Sequence, residues 1–232
     1  MNPLLIALDV SSKNRALELA DILRNVAGGF KIGSKLFTAE GPSIVDALVA
    51  RGDKIFLDLK FHDIPNTVAA AVTAASDLGV WMLTVHTQGG IDMMRAAKEA
   101  AHSGSVTPLV VGITVLTSLD HDALQTIGVS RQIPDQVTRL ASLAQKAEID
   151  GVVASPREVK AIRETCGADF KIVTPGIRSD LETTSLVHDD QVRTASATDA
   201  VQDGADYIVV GRPIIEAPDP MEAAQRISAE LA

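Results

Sequence analysis

The chain has one cysteine, Cys166, so no internal disulfide can form. That excludes a disulfide-stapled scaffold and suits a reducing cytoplasm. Aromatic residues are only 3% of the 232, and acids outnumber bases to leave a net charge of −9. A nucleic-acid surface wants a basic stripe, often with stacking rings, and the sequence shows neither. No apolar run reaches the about 18 residues that mark a membrane-spanning helix. The opening "MNPLLIALDV" lacks the basic region of a signal peptide. Nor does any low-complexity tract or Pro/Ser-rich linker break the chain. The expectation is one domain over residues 1–232, cytoplasmic, with no nucleic-acid and no membrane partner. An anionic ligand would have to be met locally, by a few placed Lys, Arg or backbone N–H groups.

What is present is an alternation. Apolar residues are 46% of the chain, enough for a large core without staples. Short runs rich in Val, Ile and Leu fall at 4–10, 29–33, 54–60, 81–87, 109–117, 151–155, 170–177 and 207–213. Each is bounded by Gly, Pro or polar residues, as strands are. Helical patterns lie between them, with proline near several starts and glycine at most ends. Ser12 stands where it can cap the first, and an extra helical piece is expected around "DHDALQTIG". Strict alternation implies parallel strands joined by right-handed crossovers. Eight units fit a single-domain (β/α)8 barrel, the TIM-barrel class, better than an open doubly wound sheet, which is the alternative.

Side chains alternate faces along a strand. Ile6, Leu8 and Val10 share one face of the first run, and Asp9 takes the other. Lys31 opposes Phe30 and Ile32 in the second. In the third, Phe56, Asp58 and Lys60 oppose Ile55, Leu57 and Leu59. If the apolar faces meet the helices, the charged faces point into the barrel. The charges also lie late in their strands, toward the C-terminal rim where such barrels build active sites. Asp9, Lys31, Asp58 and Lys60 should therefore converge at one mouth. One inward charge is readily an ordinary ion pair; four from three adjacent strands point to chemistry.

The far end of the chain supplies an anion site. Loops after the seventh and eighth strands often hold phosphate in this architecture, with the N-terminus of a short helix. Here they read "TPGIRSD" and "VGRPIIEA". Gly176 and Gly211 permit close backbone approach, Arg178 and Arg212 offer forked donors, and Pro213 can open a helix. The plain alternative is an ordinary Gly-Arg-Pro turn. The polar segment 176–193 is a candidate lid, although a solvated loop reads the same way.

Other residues invite blander readings. His62 is outward in strand phase and suggests packing or surface. His86 ends the fourth run and can support the rim, with no second ligand at metal spacing. Ser155 is left unassigned, Cys166 closes a helix without a base partner, and Trp81 reads as packing.

The stretch "DLKFHDIPNTV" at 58–68 resembles the D-x-K-x-x-D-I-x-x-T signature of the orotidine 5′-monophosphate decarboxylase family. The resemblance runs through "ALDV", "FKIG", "VLTS", "TPGIR", "DDQVR" and "VVGRPI" in order. The bare D-x-K-x-x-D is shared with sugar-phosphate decarboxylases and synthases of the same superfamily. The Ile64–Pro65–Asn66–Thr67 continuation and the "TPGIR" loop favour the orotidylate enzyme.

The resemblance implies a homodimer with active sites near the subunit interface, and no metal or organic cofactor. It implies Lys60 as proton donor, with Asp58 and Lys31 beside it and Asp63 reaching in from the other subunit. Thr67 would also cross over toward the ribose, Asp9 and Lys31 would contact ribose hydroxyls, and Thr117 would lie at the pyrimidine. Arg178, Gln191, Gly211 and Arg212 would hold the phosphate. The expected reaction is decarboxylation of orotidylate to uridylate, the last step of de novo UMP synthesis.

That chemistry suits the alternating signs. Loss of CO2 leaves electrons in an in-plane orbital at C6, which the ring cannot delocalise well. Nothing in the sequence suggests a pyridoxal or thiamine sink, so preorganised electrostatics and protonation must lower the barrier. Two acids and two bases sum to zero, which lowers the cost of burying them together. The rival readings are a metal-dependent sugar-phosphate decarboxylase or aldolase, with Asp58 and Asp63 as ligands, and a barrel that only binds a phosphorylated ligand.

Overall fold

The structure is a computed structural model that describes residues 2–104, 106–176 and 196–231. Its eight strands are β1 (Leu4–Ala7), β2 (Gly29–Gly33), β3 (Ile55–Phe61), β4 (Met82–His86), β5 (Leu109–Ile113), β6 (Gly151–Val153), β7 (Lys171–Thr174) and β8 (Tyr207–Val210). They pair in sequence order, all parallel, and β8 closes on β1. This is the (β/α)8 barrel; the open sheet is excluded by the β1–β8 pairing, in which Ile6 partners Val210.

Between the strands lie α1 (Lys13–Leu23), α2 (Ser34–Glu40), α3 (Ser43–Val49), α4 (Pro65–Asp77), α5 (Gly90–Ala101), α6 (His121–Thr126), α7 (Ile133–Lys146) and α8 (Val159–Cys166). After them come α9 (Ala197–Gln202), the single turn α10 (Arg212–Ile215) and α11 (Pro220–Glu230). Ser12 does cap α1, accepting from the Arg15 N–H, and Asp120 is the N-cap of the extra helix α6. Ser155 accepts from the Arg157 N–H at the head of a 3-10 turn, which gives it a local structural use. The short α2 has no counterpart among the sequence expectations: Ser34 follows β2 directly, with no separate turn to signal it.

Alternation divides the core in two. Leu4, Ile6, Phe30, Ile32, Ile55, Leu57, Leu83, Val85, Val110, Val152, Ile172 and Ile208 face outward and pack under the helices. On α1, Ala16, Leu19, Ala20 and Leu23 meet them, the spacing of one helical face. Leu5, Ala7, Phe56, Met82, Val111, Val173, Tyr207 and Val209 fill the barrel's interior. That plug closes the lower barrel, so any site must open at the other end. Close packing is tight enough to dictate residue size: a Cβ on Gly151 would stand 2.1 Å from the Lys171 carbonyl oxygen.

A second set of charges braces the barrel's N-terminal end. The Asp206 carboxylate accepts from Lys171 Nζ at 2.9 Å, Arg163 Nη2 at 2.8 Å and the Ile172 N–H at 2.9 Å. Asp150 likewise accepts from Lys98 Nζ and from the Val110 N–H. The hydrogen bond from Lys171 to Asp206 holds the Lys171 pKa above its usual value. Trp81 packs edge-on to Tyr207, ring centres 5.2 Å apart, as packing was expected to place it. These carboxylates are consumed by strand and helix ends, which makes them structural.

Candidate active site

The C-terminal rim carries the other charges. β1, β2 and β3 lie in a register that sets Ala7 beside Lys31 and Lys31 beside Phe56. One layer higher Gly33 stands beside Asp58, and Asp9 follows the end of β1 by two residues. Gly33 supplies no side chain there. The Lys31 ammonium enters that space: a Cβ on Gly33 would lie 3.0 Å from Lys31 Nζ and 3.2 Å from Asp9 Oδ1.

The four charges form one run of contacts. Lys31 Nζ lies 3.0 Å from Asp9 Oδ1 and 3.9 Å from Asp58 Oδ2. Lys60 Nζ donates to the same Asp58 Oδ2 at 2.7 Å. The side chains of Lys31 and Asp58 are each 12% exposed, against 37% for Lys60 and 44% for Asp9. The middle of the run is therefore desolvated while its ends meet solvent. Such pairs are less screened than surface ion pairs and hold one another in place.

Lys60 does not arrive there by simple alternation. The β3–β4 pairing runs Leu57 with Leu83 and then Phe61 with Val85, so Asp58, Leu59 and Lys60 face Thr84 alone. Lys60 has φ 55°, in the left-handed region that side-chain-bearing residues rarely occupy. The bulge turns the Lys60 N–H onto Thr84 Oγ1 at 2.8 Å. It leaves the phase beyond it unchanged, since Leu57 and Phe61 both pair with outward residues of β4. His62 therefore keeps the even phase of Asp58, against the outward one expected, and stacks on the inward His86, ring centres 5.1 Å apart and 24° from parallel. Burial lowers the His86 pKa from 6.5 to about 4, helped by His62 and Lys60. The imidazole is thus neutral at pH 7.

Of the remaining expected residues, Gly211 follows β8 beside the site. A Cβ there would come within 3.4 Å of Ala7 Cβ and 3.7 Å of Asp9 Oδ2. It is the N-cap position of α10, whose first residues are Arg212 and Pro213. Thr117 is half-buried in the loop after β5. Asp63 and Thr67 are exposed at the head of α4, and Ile64 between them is 66% exposed. Among the described residues, neither Asp63, Thr67 nor Thr117 bonds to the four central charges; Asp63 Oδ1 accepts from the Ile64 N–H. Arg178, Gln191 and all of the candidate lid but Gly176 lie outside the described residues.

Sequence reasoning missed Thr84 and Gly33. Thr84 shares the inward phase of β4 with Met82 and His86, and a hydroxyl between two such positions was the available signal. Gly33 carried none, since its importance lies in what two neighbouring strands place around it.

The family model described as "Orotidine 5'-phosphate decarboxylase / HUMPS family" matches residues 2–227, almost the entire chain. The chain belongs to this family. A member from Dichelobacter nodosus, named orotidine 5'-phosphate decarboxylase, is 50% identical over 230 residues, covering 99% of both chains. A protein of the same name from Saccharophagus degradans is 47% identical over 229 residues, 99% of this chain and 94% of that one. The crystal structure of the Lactobacillus acidophilus protein of that name superposes with a TM-score of 0.85 at 36% identity, covering 100% of this chain and 99% of that one. Family membership thus spans the barrel and its rim together.

Proposed function

We propose that this protein decarboxylates orotidine 5′-monophosphate to uridine 5′-monophosphate and CO2 without a cofactor, in pyrimidine biosynthesis in the cytoplasm. The observation that carries the reading is the 2.7 Å contact of Lys60 Nζ with Asp58 Oδ2, and Lys31 at 3.9 Å from the same oxygen. The names of relatives that are half identical over nearly their whole length support the substrate.

In this reading the C6–carboxylate bond breaks and CO2 departs, leaving the bonding pair at C6. The Lys60 ammonium lies beside that carbon, stabilises the developing charge and donates its proton to form the C6–H bond. The neutral amine then regains a proton from solvent. Asp58, itself flanked by Lys31, holds the ammonium in place before the reaction, so little reorganisation is left for the transition state. Asp9 and Lys31 bind ribose hydroxyls, Thr117 meets the pyrimidine, and Gly211, Arg212, Arg178 and Gln191 take the phosphate. Phosphate binding, remote from C6, can be used to complete the site.

Asp63 and Thr67 act across a homodimer interface in the neighbouring site. Their exposure, with Ile64 between them, supports this reading. Mixing Lys60→Ala with Asp63→Ala subunits should regain part of the turnover that each lacks. Full subunit exchange without any regain would reject the shared site.

The rival metal-dependent reading needs Asp58 as a ligand. Both Asp58 oxygens are already engaged, Oδ2 by Lys60 and Oδ1 by Thr84. The deciding experiment is an absorbance assay of orotidylate loss after exhaustive chelation. Undiminished turnover is expected. Turnover that vanishes and returns with added divalent metal would replace this reading with the rival.

A further inference from the structure

The Thr84 side chain is fully buried on β4, opposite the bulge of β3. Its hydroxyl has two partners. It accepts from the Lys60 N–H at 2.8 Å and lies 3.0 Å from Asp58 Oδ1. An amide N–H can only donate and a carboxylate can only accept, so the direction is fixed: the Thr84 proton points at Asp58. Asp58 Oδ2 meanwhile accepts from Lys60 Nζ at 2.7 Å. One hydroxyl therefore closes a ring that runs from the Asp58 carboxylate through Thr84 to the Lys60 backbone, out along the lysine side chain and back to Asp58.

We infer that Thr84 is a positioning residue: its hydroxyl holds the Lys60 backbone in its left-handed turn and orients Asp58, and so aims the Lys60 ammonium. Three facts converge on this. Lys60 sits at φ 55°, an arrangement that persists only where neighbours enforce it. The bulge removes the Lys60 N–H from the regular strand ladder, and Thr84 takes the place of the lost acceptor. Among the described residues only Thr84 bonds Asp58 Oδ1, while Lys60 and Lys31 both approach Oδ2.

A residue that only filled space would be replaced well by valine, which keeps the shape of threonine and lacks the hydroxyl. The role of the ring predicts otherwise. This inference rests on the decarboxylase reading for its kinetic arm alone. In Thr84→Val, kcat for orotidylate should fall at least about 30-fold with KM within about threefold, the pattern of a lost transition-state interaction. Thr84→Ser should restore kcat to within about threefold of the parent. Hydrogen exchange of the Lys60 amide supplies an arm independent of the reaction. It should quicken at least about tenfold in Thr84→Val relative to the Leu57 and Val85 amides, and not in Thr84→Ser. If the valine variant does not fold, Thr84→Cys, a weak donor of similar size, should lower kcat at least about fivefold.

Parental kcat in the valine or cysteine variant would overturn the inference, as would unchanged Lys60 exchange in the valine variant. A kcat loss that serine fails to restore would overturn it too. Absence of orotidylate turnover in the parent protein would instead count against the decarboxylase reading and leave the exchange arm to decide.

Discussion

His86 shows how one residue reports on the rim. Its ring is stacked against His62, near the Lys60 ammonium, and its pKa is lowered to about 4. In the unfolded chain the same imidazole returns to about 6.5. Between those values the unfolded chain binds a proton that the folded chain does not, so stability falls as pH drops from 6.5 toward 4. An imidazole NMR titration should show His86 neutral down to about pH 5, and His86→Gln should lessen the loss of stability on acidification. A midpoint near 6.5 would contradict the desolvated, charge-flanked position. Cys166 is the opposite kind of residue: burial raises its thiol pKa, and it closes α8 far from any expected chemistry.

At the scale of elements, three strands make the site by what they present at one level. Asp9 beyond β1, Gly33 on β2 and Asp58 on β3 share a layer, and Lys31 rises from the layer below into the gap at Gly33. Adding one methyl there should displace the ammonium without disturbing a backbone contact, because the nearest atoms are side-chain ends. Gly33→Ala is therefore expected to lower kcat/KM at least tenfold, roughly 1.4 kcal/mol of transition-state binding. The unfolding free energy should stay within about 1 kcal/mol of the parent. Equal kcat/KM in the two proteins would mean that Lys31 needs no such gap.

The same elements show what was legible in the sequence. Strand alternation was enough to put Asp58 and Lys31 inside the barrel, because a slip by one residue would have buried charge among Ile and Leu under the helices. It could not foretell how Lys60 gets there. The bulge that turns it depends on pairing between β3 and β4, and its signals, φ 55° at a lysine and a hydroxyl opposite, exist only once the strands are paired. The lysine's expected destination was right while the route was not visible. The strands end before their apolar patterns do: the runs that include Asp9 and Thr117 stop, as strands, at Ala7 and Ile113.

For the whole molecule, the barrel separates two uses of charge. At the N-terminal end Asp150 and Asp206 tie strand and helix ends together, and at the C-terminal rim the run from Asp9 to Lys60 stands open to a ligand. For a chain of net charge −9 to take an anionic nucleotide, its cations must be concentrated locally, and Lys31 and Lys60 do stand together at this rim. The eight-strand alternation predicted that geometry because closing a parallel barrel brings all C-terminal strand ends to one face. The central claim is that the Lys60 ammonium in this array supplies the proton, and orotidylate turnover by Lys60→Ala tests it most directly. We expect a loss of kcat of at least about 1,000-fold in a folded protein that still binds uridylate. Turnover within tenfold of the parent would contradict it.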